Sequence, residues 1–273
     1  MIPLCNMHTH TSFCDGSNTV EEMAISAIAC GCKALGFSGH APMAVSGDDS
    51  WTMKEASLPQ YKKEVERVKV KYQDRLDIML GIEQDYFSVP LEMQVDYVIG
   101  SVHCVQNQGQ TVYVDLSPQE LKQYVRSLYN NDILGLVKDY YSLVANVVDK
   151  TDCDIIGHFD LVTKFNEKYP LIDTTDSAYR RLAIEALDAL ISKDRLFEIN
   201  TGALSRGWRT TPYPEDFILK RIAEKNANVI ITSDAHSKDT ILFGYSDAVE
   251  YAKACGITSI CVYENKKIKN ISI

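Results

Sequence analysis

No stretch of this sequence approaches the roughly 18 consecutive apolar residues of a membrane span, and no two of its eight cysteines form a C-x-x-C pair. A cysteine-rich zinc ribbon is thereby excluded. The start, Met-Ile-Pro-Leu-Cys-Asn-Met-His, lacks the basic opening and apolar core of a signal peptide. The expectation is a cytoplasmic chain whose cysteines are reduced thiols rather than a disulfide framework. Cys14 and Cys104 lie near histidines in sequence, and small buried thiols are favoured over ligands there. Excess positive charge is also missing. With 28 basic and 37 acidic residues the formal charge is −9, so neither nucleic acid backbones nor membranes are expected partners. Any phosphate-bearing ligand must be held by local arginine, lysine or metal. There is no G-x-G-x-x-G after the first strand and no G-x-S-x-G for a serine nucleophile. The chain also has no internal repeat, no low-complexity tract and no Pro/Gly/Ser linker. Residues 1–273 are read as one domain.

What is present is an alternation of strand and helix patterns in a chain that is 45% hydrophobic and 24% charged. Short apolar or β-branched runs predict strands over 2–8, 32–38, 76–82, 96–102, 153–158, 196–199, 228–232 and 257–262. Amphipathic stretches fall between them. Thr19 with Glu22 forms a capping-box signature, Leu58-Pro59 and Ser117-Pro118 open two further helices, and 175–193 and 214–226 supply two more. The order implies a parallel sheet with helices outside, and seven or eight units without a compositional break favour a closed or nearly closed barrel. The helical region 116–150 is an excursion between two units.

The six histidines, His8, His10, His40, His103, His158 and His236, all sit at or just past the end of a predicted strand. In a parallel barrel that rim is where side chains from separate strands converge. Alternate strand residues share a face, which pairs His8 with His10 and Asp234 with His236. It likewise pairs Glu83 with Asp85, His158 with Asp160 and Glu198 with Asn200. Apolar residues lead into these pairs, and buried imidazoles and carboxylates gathered this way are costly without cations. Imidazole plus carboxylate without thiolate suits zinc, manganese or iron better than magnesium or calcium. The six histidines with Asp15, Glu83 and Asp234 are the candidate ligands. Two or three divalent ions among them leave the site net positive, which reconciles an acidic protein with a phosphate substrate.

Six segments resemble the motifs of one family in order. They are Met7-His-Thr-His-Thr-Ser-Phe-Cys-Asp-Gly16, Gly36-Phe-Ser-Gly-His-Ala-Pro42, Gly81-Ile-Glu-Gln-Asp-Tyr86, Asp96-Tyr-Val-Ile-Gly-Ser-Val-His103, Ile156-Gly-His-Phe-Asp160 and Thr232-Ser-Asp-Ala-His-Ser237. The family is the polymerase and histidinol phosphatase (PHP) superfamily. Glu198-Ile-Asn-Thr-Gly-Ala-Leu-Ser-Arg-Gly207 and Pro212-Tyr-Pro214 resemble its histidinol-phosphatase branch. The resemblance implies an α/β distorted (β/α)7 barrel with a trinuclear metal centre on the C-terminal rim of its strands. It implies that His8, His10, Glu83 and Asp234 hold a first metal. Glu83 would bridge to a second with His103 and His158, and Asp15, His40 and His236 would hold a third.

The expected activity is hydrolysis of L-histidinol phosphate to L-histidinol and phosphate, in histidine biosynthesis, by a water or hydroxide bridging two metals. Glu83 then serves two ions. Arg206 and Lys164, with Arg209 in reserve, are the candidate phosphate donors. Asp160 either protonates the leaving alcohol or orients a ligand histidine. The aperiodic stretch 44–59 either folds over the pocket, with Trp51 offering an aromatic face to an imidazole ring, or packs on the barrel. Two other readings stand beside this one: a PHP phosphoesterase acting on nucleotides or nucleic acid ends, and a metal-binding module without catalysis. A metal-dependent amidohydrolase would need a lysine bridge at a strand end, and none is found.

Overall fold

The structure, a computed structural model, describes residues 2–264 and 267–273. All eight predicted strands are present in it. They are β1 (Cys5–Asn6), β2 (Ala34–Phe37), β3 (Asp77–Asp85), β4 (Tyr97–Ser101), β7 (Ile155–Ile156), β8 (Leu196–Asn200), β9 (Val229–Thr232) and β10 (Ser259–Glu264). A hairpin of β5 (Cys104–Asn107) and β6 (Gln110–Tyr113), and a final strand β11 (Lys267–Ser272), were not predicted. The main sheet runs β1-β2-β3-β4-β7-β8-β9-β10-β11, parallel throughout except for β11, which pairs antiparallel with β10.

Closure explains why the barrel is distorted. Just past β1 and β9 the chain forms a parallel bridge at Thr9 and Ala235. There the His10 amide donates to the Ala235 carbonyl at 2.9 Å, and the Ala235 amide to the His8 carbonyl at 3.1 Å. Seven parallel strands are thus closed at their C-terminal rim. Lower down, β10 joins β9 only at Cys261 and Ile230, and Cys261 fills the interior beside Met7, Met79, Tyr97, Ile155, Leu196 and Ile230. This apolar plug seals the lower barrel, so polar side chains above it face only the rim.

Tyr97 is the largest piece of that plug, and its hydroxyl donates to the Met7 carbonyl at 2.5 Å, one residue before His8. The ring fits because two neighbouring strands carry glycine. A Cβ at Gly36 would lie 2.1 Å from the Tyr97 hydroxyl, and one at Gly81 would lie 2.3 Å from the ring.

Outside the barrel, α1 (Val20–Ala29) and α2 (Leu58–Tyr72) cover β2 and β3 through Met23, Tyr61, Val65 and Val68. The Thr19–Glu22 capping box forms at the start of α1. The excursion is three helices, α3 (Pro118–Leu128), α4 (Ile133–Val144) and α5 (Val147–Thr151). Its Leu136, Val137, Tyr140 and Tyr141 share a core with Tyr179, Ala183 and Leu187 of α6 (Ser177–Ile191). A one-turn α7 (Gly202–Ser205) follows β8, and α8 (Asp216–Glu224) and α9 (Tyr245–Ala254) complete the outer layer.

Because Tyr97 occupies the space that a Gly81 side chain would need, Gly81→Ala should destabilise the fold by about 1–3 kcal/mol. A thermal melt reads this as a lower Tm, and an unchanged Tm would show that the plug yields.

Candidate metal centre

The candidate ligands leave the rim from six strand ends. His8 and His10 follow β1, His40 follows β2, Glu83 lies in β3, His103 follows β4, His158 follows β7, and Asp234 and His236 follow β9. The closing bridge at Thr9 and Ala235 brings the first and last of these side by side. Asp234 turns inward with φ 46°, a left-handed conformation that Asp adopts more readily than most residues.

Glu83 stands at the centre, 1% exposed. Its Oε2 lies 2.9 Å from His40 Nδ1, 3.1 Å from His8 Nε2 and 3.5 Å from His10 Nε2. Its Oε1 lies 3.0 Å from His158 Nε2 and 3.5 Å from His103 Nε2. Three sets of side chains offer ligand atoms close enough to share an ion: His8, His10 and Asp234; His40, Glu83 and His103; and His10, Asp15, His40 and His236. The sets overlap more than the resemblance implied. His10 and His40 each belong to two, while His158 reaches the centre through Glu83.

The residues fit divalent cations on their own chemistry. His8 Nε2, His10 Nε2 and Glu83 Oε2 are buried without a hydrogen-bond partner and converge on one another. Burial opposes ionisation of Glu83 and Asp234, yet the surrounding histidines, and Arg206 for Asp234, hold both carboxyls far below the usual range. The floor is therefore anionic and lined with imidazole nitrogens. His10, desolvated and flanked by His236 and His40, falls to about 3 and stays neutral. Burial lowers His103, but Glu83 and Asp85 outweigh it and raise the ring to about 9. His8 is likewise raised by Glu198, Glu83 and Asp234 against its burial.

Carboxylates behind the ligands orient them. Glu198 Oε1 meets His8 Nδ1 at 2.5 Å and accepts from the Thr232 hydroxyl at 2.6 Å. Its Oε2 accepts from the His158 amide and Asn200 Nδ2 at 2.7 and 2.9 Å. Asp85 Oδ2 accepts from the His103 amide at 2.7 Å and lies 3.2 Å from its Nδ1. Sequence reading noted Glu198 and Asp85 only as members of polar pairs. The signal was their two-residue step on a strand that ends at the rim.

The centre floors a cavity of about 250 Å³. Its walls include Trp51, Tyr113, Asp115, Leu116, Leu161, Lys164 and Arg206. Comparison with known proteins fits this geometry. Residues 6–202 match the PHP domain family. The chain belongs to that family. It is 32% identical over 268 residues to a Deinococcus radiodurans protein named "Probable histidinol-phosphatase", covering 94% of this chain and 95% of that one. It is 26% identical over 264 residues to the histidinol-phosphatase of Bacillus subtilis, covering 89% and 97%. A Lactococcus lactis histidinol phosphate phosphatase, solved with zinc, L-histidinol and phosphate, shares the fold at TM-score 0.71 and 21% identity, over 97% of this chain and 98% of that one.

In this PHP domain the substrate-side candidates separate. Arg206 lines the cavity, with Nη2 on Asp234 Oδ2 at 2.9 Å and Nη1 3.1 Å from His236 Nδ1. Gly202 makes the room: a Cβ there would lie 2.6 Å from Asp234 Oδ2 and 2.7 Å from Arg206 Nη2. Trp51 stands over the floor with its ring 4.6 Å from His40 and 5.1 Å from His103. Its indole nitrogen is spent on the Asp48 carbonyl, so it presents ring alone. Lys164 also reaches the cavity, but its ammonium is held by Asp115, through the carbonyl at 2.8 Å and Oδ2 at 3.0 Å.

Two of the expected site residues lie outside the cavity lining. Asp160 is fully buried behind the wall, accepts from the Glu215 amide at 2.9 Å and lies 3.9 Å from Arg209. It is not among the residues lining the cavity, and among the described residues it makes no hydrogen bond to a ligand imidazole, although His158 helps to hold its carboxyl down against burial. The strand β7 ends at Ile156, and the chain turns at Phe159–Asp160 into a 3₁₀ turn over Leu161–Thr163, so the alternation that pairs Asp160 with His158 fails. Arg209 also turns away. It bonds Thr163 Oγ1 at 2.5 Å, lies over the Tyr213 ring and borders a separate cavity with Glu167 and Thr211. Cys14 comes within 3.6 Å of His10, but burial pushes its thiol up to about 12, and neither it nor Cys104 belongs to a ligand set.

Glu83→Gln should lower metal content and reduce activity by more than the roughly 10–100-fold typical of losing a ligand's supporting partner. Glu198→Gln should fall within that narrower range. Metal analysis of the two purified variants checks the order, and the reverse order would remove Glu83 from the centre. Ligation also requires deprotonated imidazole. His103, at about 9 in the metal-free chain, holds its proton at pH 7, and His8 is shifted in the same direction, so zinc uptake should release protons and tighten as pH rises toward 9. Titration in a weak buffer reads this directly, and proton-neutral uptake would contradict the assignment.

Proposed function

We propose that this chain hydrolyses L-histidinol phosphate to L-histidinol and inorganic phosphate. The observation that carries the reading is the convergence of six histidines with Asp15, Glu83 and Asp234 on the floor of a small cavity whose wall holds Arg206. Full-length relatives named as histidinol-phosphatases supply the substrate.

Bound divalent ions supply an activated water at neutral pH and neutralise phosphate oxygens. The nine candidate ligands would hold two or three ions, of zinc, manganese or iron. The chain's own part is to hold and orient. Glu83 gathers five histidines about one carboxylate, and Glu198 and Asp85 set the tilt of His8 and His103. Arg206 is anchored through Asp234 beside the floor and directs guanidinium charge at the phosphate. Trp51 roofs the cavity and offers its ring to a flat imidazole. Asp160, walled off, takes no part in protonating the leaving alcohol.

The cavity's size favours a small phosphomonoester over a nucleic acid strand. Among the described residues no helix is long and apolar enough to cross a membrane. We read residues 1–273 as one catalytic unit working in the cytoplasm, in histidine biosynthesis.

Phosphate release from L-histidinol phosphate, by protein stripped of metal and then reloaded with zinc or manganese, tests the proposal. Release only after reloading, with nucleotides much slower, is the expected result. Protein that holds metal yet releases no phosphate from L-histidinol phosphate would overturn it.

A further inference from the structure

One wall of the cavity is built by a hairpin, and one of its side chains has no role in the chemistry described so far. Directly after His103, β5 leaves the rim, reverses at Gln108 and Gly109, whose φ values of 49° and 76° are those of a tight primed turn, and returns along β6. The Val114 amide then donates to the His103 carbonyl at 2.9 Å. Asp115 follows, fastened beside the metal floor and lining the cavity.

Its carboxylate is held from one side only. Lys164 takes Oδ2 at 3.0 Å and the backbone carbonyl at 2.8 Å. Among the described residues Oδ1 accepts no hydrogen bond, and the side chain is 22% exposed. The cavity wall also offers Trp51, Tyr113, Leu116 and Leu161, while the His103 and His158 rings act on the Asp115 carboxyl from the floor. An acid here is a liability for a site that must draw in a phosphate dianion. Lys164 removes that liability by making the pair formally neutral, but it leaves acceptor capacity on Oδ1. The pair therefore repels no phosphate and still favours an N–H donor that carries charge.

We propose that Asp115 is a specificity residue, accepting through Oδ1 the protonated amine of the leaving alcohol. The inference rests on the proposed phosphomonoesterase reading and extends it to the substrate's other end. Lys164 is the positioning residue that holds Asp115 in place. The aromatic rings of Trp51 and Tyr113 then serve the flat part of the substrate, which needs contact area rather than charge.

The test compares esters with and without the amine on one metal-loaded enzyme, so that folded fraction and metal content cancel in the ratio. L-histidinol phosphate is set against its des-amino analogue, and 2-aminoethyl phosphate against ethyl phosphate. In Asp115→Asn the preference for the amine, as a ratio of kcat/KM values, should fall by about 30-fold or more, the worth of one charge-assisted hydrogen bond. Asp115→Ser, read the same way, serves if the first variant does not fold. An unaltered enzyme that shows no preference for the amine overturns the proposal, as does a variant that keeps the full preference. A variant that keeps the preference for 2-aminoethyl phosphate over ethyl phosphate also overturns it, because the amine would then be read by another group. Failure of the wider reading looks different. If L-histidinol phosphate is not hydrolysed, but 2-aminoethyl phosphate is favoured over ethyl phosphate and that preference vanishes in Asp115→Asn, Asp115 keeps its role and the histidinol assignment falls.

Discussion

A carboxylate buried among five imidazoles governs this molecule. Glu83 makes close approaches to His8, His10, His40, His103 and His158, and its Oε2 has no hydrogen-bond donor. Burying such a group without compensation is expensive, and a salt bridge alone does not offset desolvation unless the remaining lone pairs are met. Cations meet that requirement, and the rest of the architecture keeps the ligand atoms in range of them. The bridge between Thr9 and Ala235 sets the two ends of the barrel together. The Tyr97 plug holds Met7, and through it the strand that carries His8.

Around that centre the charged side chains divide their work by what already holds them. Arg206 is tied to Asp234 and so remains at the floor. Lys164 is tied to Asp115 and so serves the far wall. Arg209, tied to Thr163 and lying on Tyr213, belongs to the packing behind the wall. Three basic residues that look equivalent along the chain end up in three different roles, because each finds a different acidic, hydroxyl or aromatic partner in space.

Much of the fold was legible beforehand because its signals are local. The capping box at Thr19, the Pro at the start of α2 and α3, and the apolar strand runs each depend on neighbours within a few residues. The candidate ligands were legible because imidazoles at five strand ends, with Glu83 at a sixth, make a pattern that a barrel rim explains. The β5–β6 hairpin was overlooked although Gln108-Gly109, between alternating residues, is a turn signal. It falls between the strand expected to end at 102 and the helical region expected from 116. Asp160 was misplaced for a different reason: two-residue alternation holds only while the chain stays extended, and the turn at Leu161–Thr163 begins at once.

The sequence by itself determined the α/β barrel, the nine ligand candidates and the metal chemistry they suit, since residue type and strand period are properties of the chain. Tertiary structure decided which candidate ligands lie close enough to share an ion, which carboxylates back them, and which of Arg206, Lys164 and Arg209 reach the cavity. Those outcomes depend on where the barrel closes and where strands stop being strands. Such choices are made by contacts between residues more than 200 positions apart, such as Thr9 and Ala235, and no local pattern encodes them.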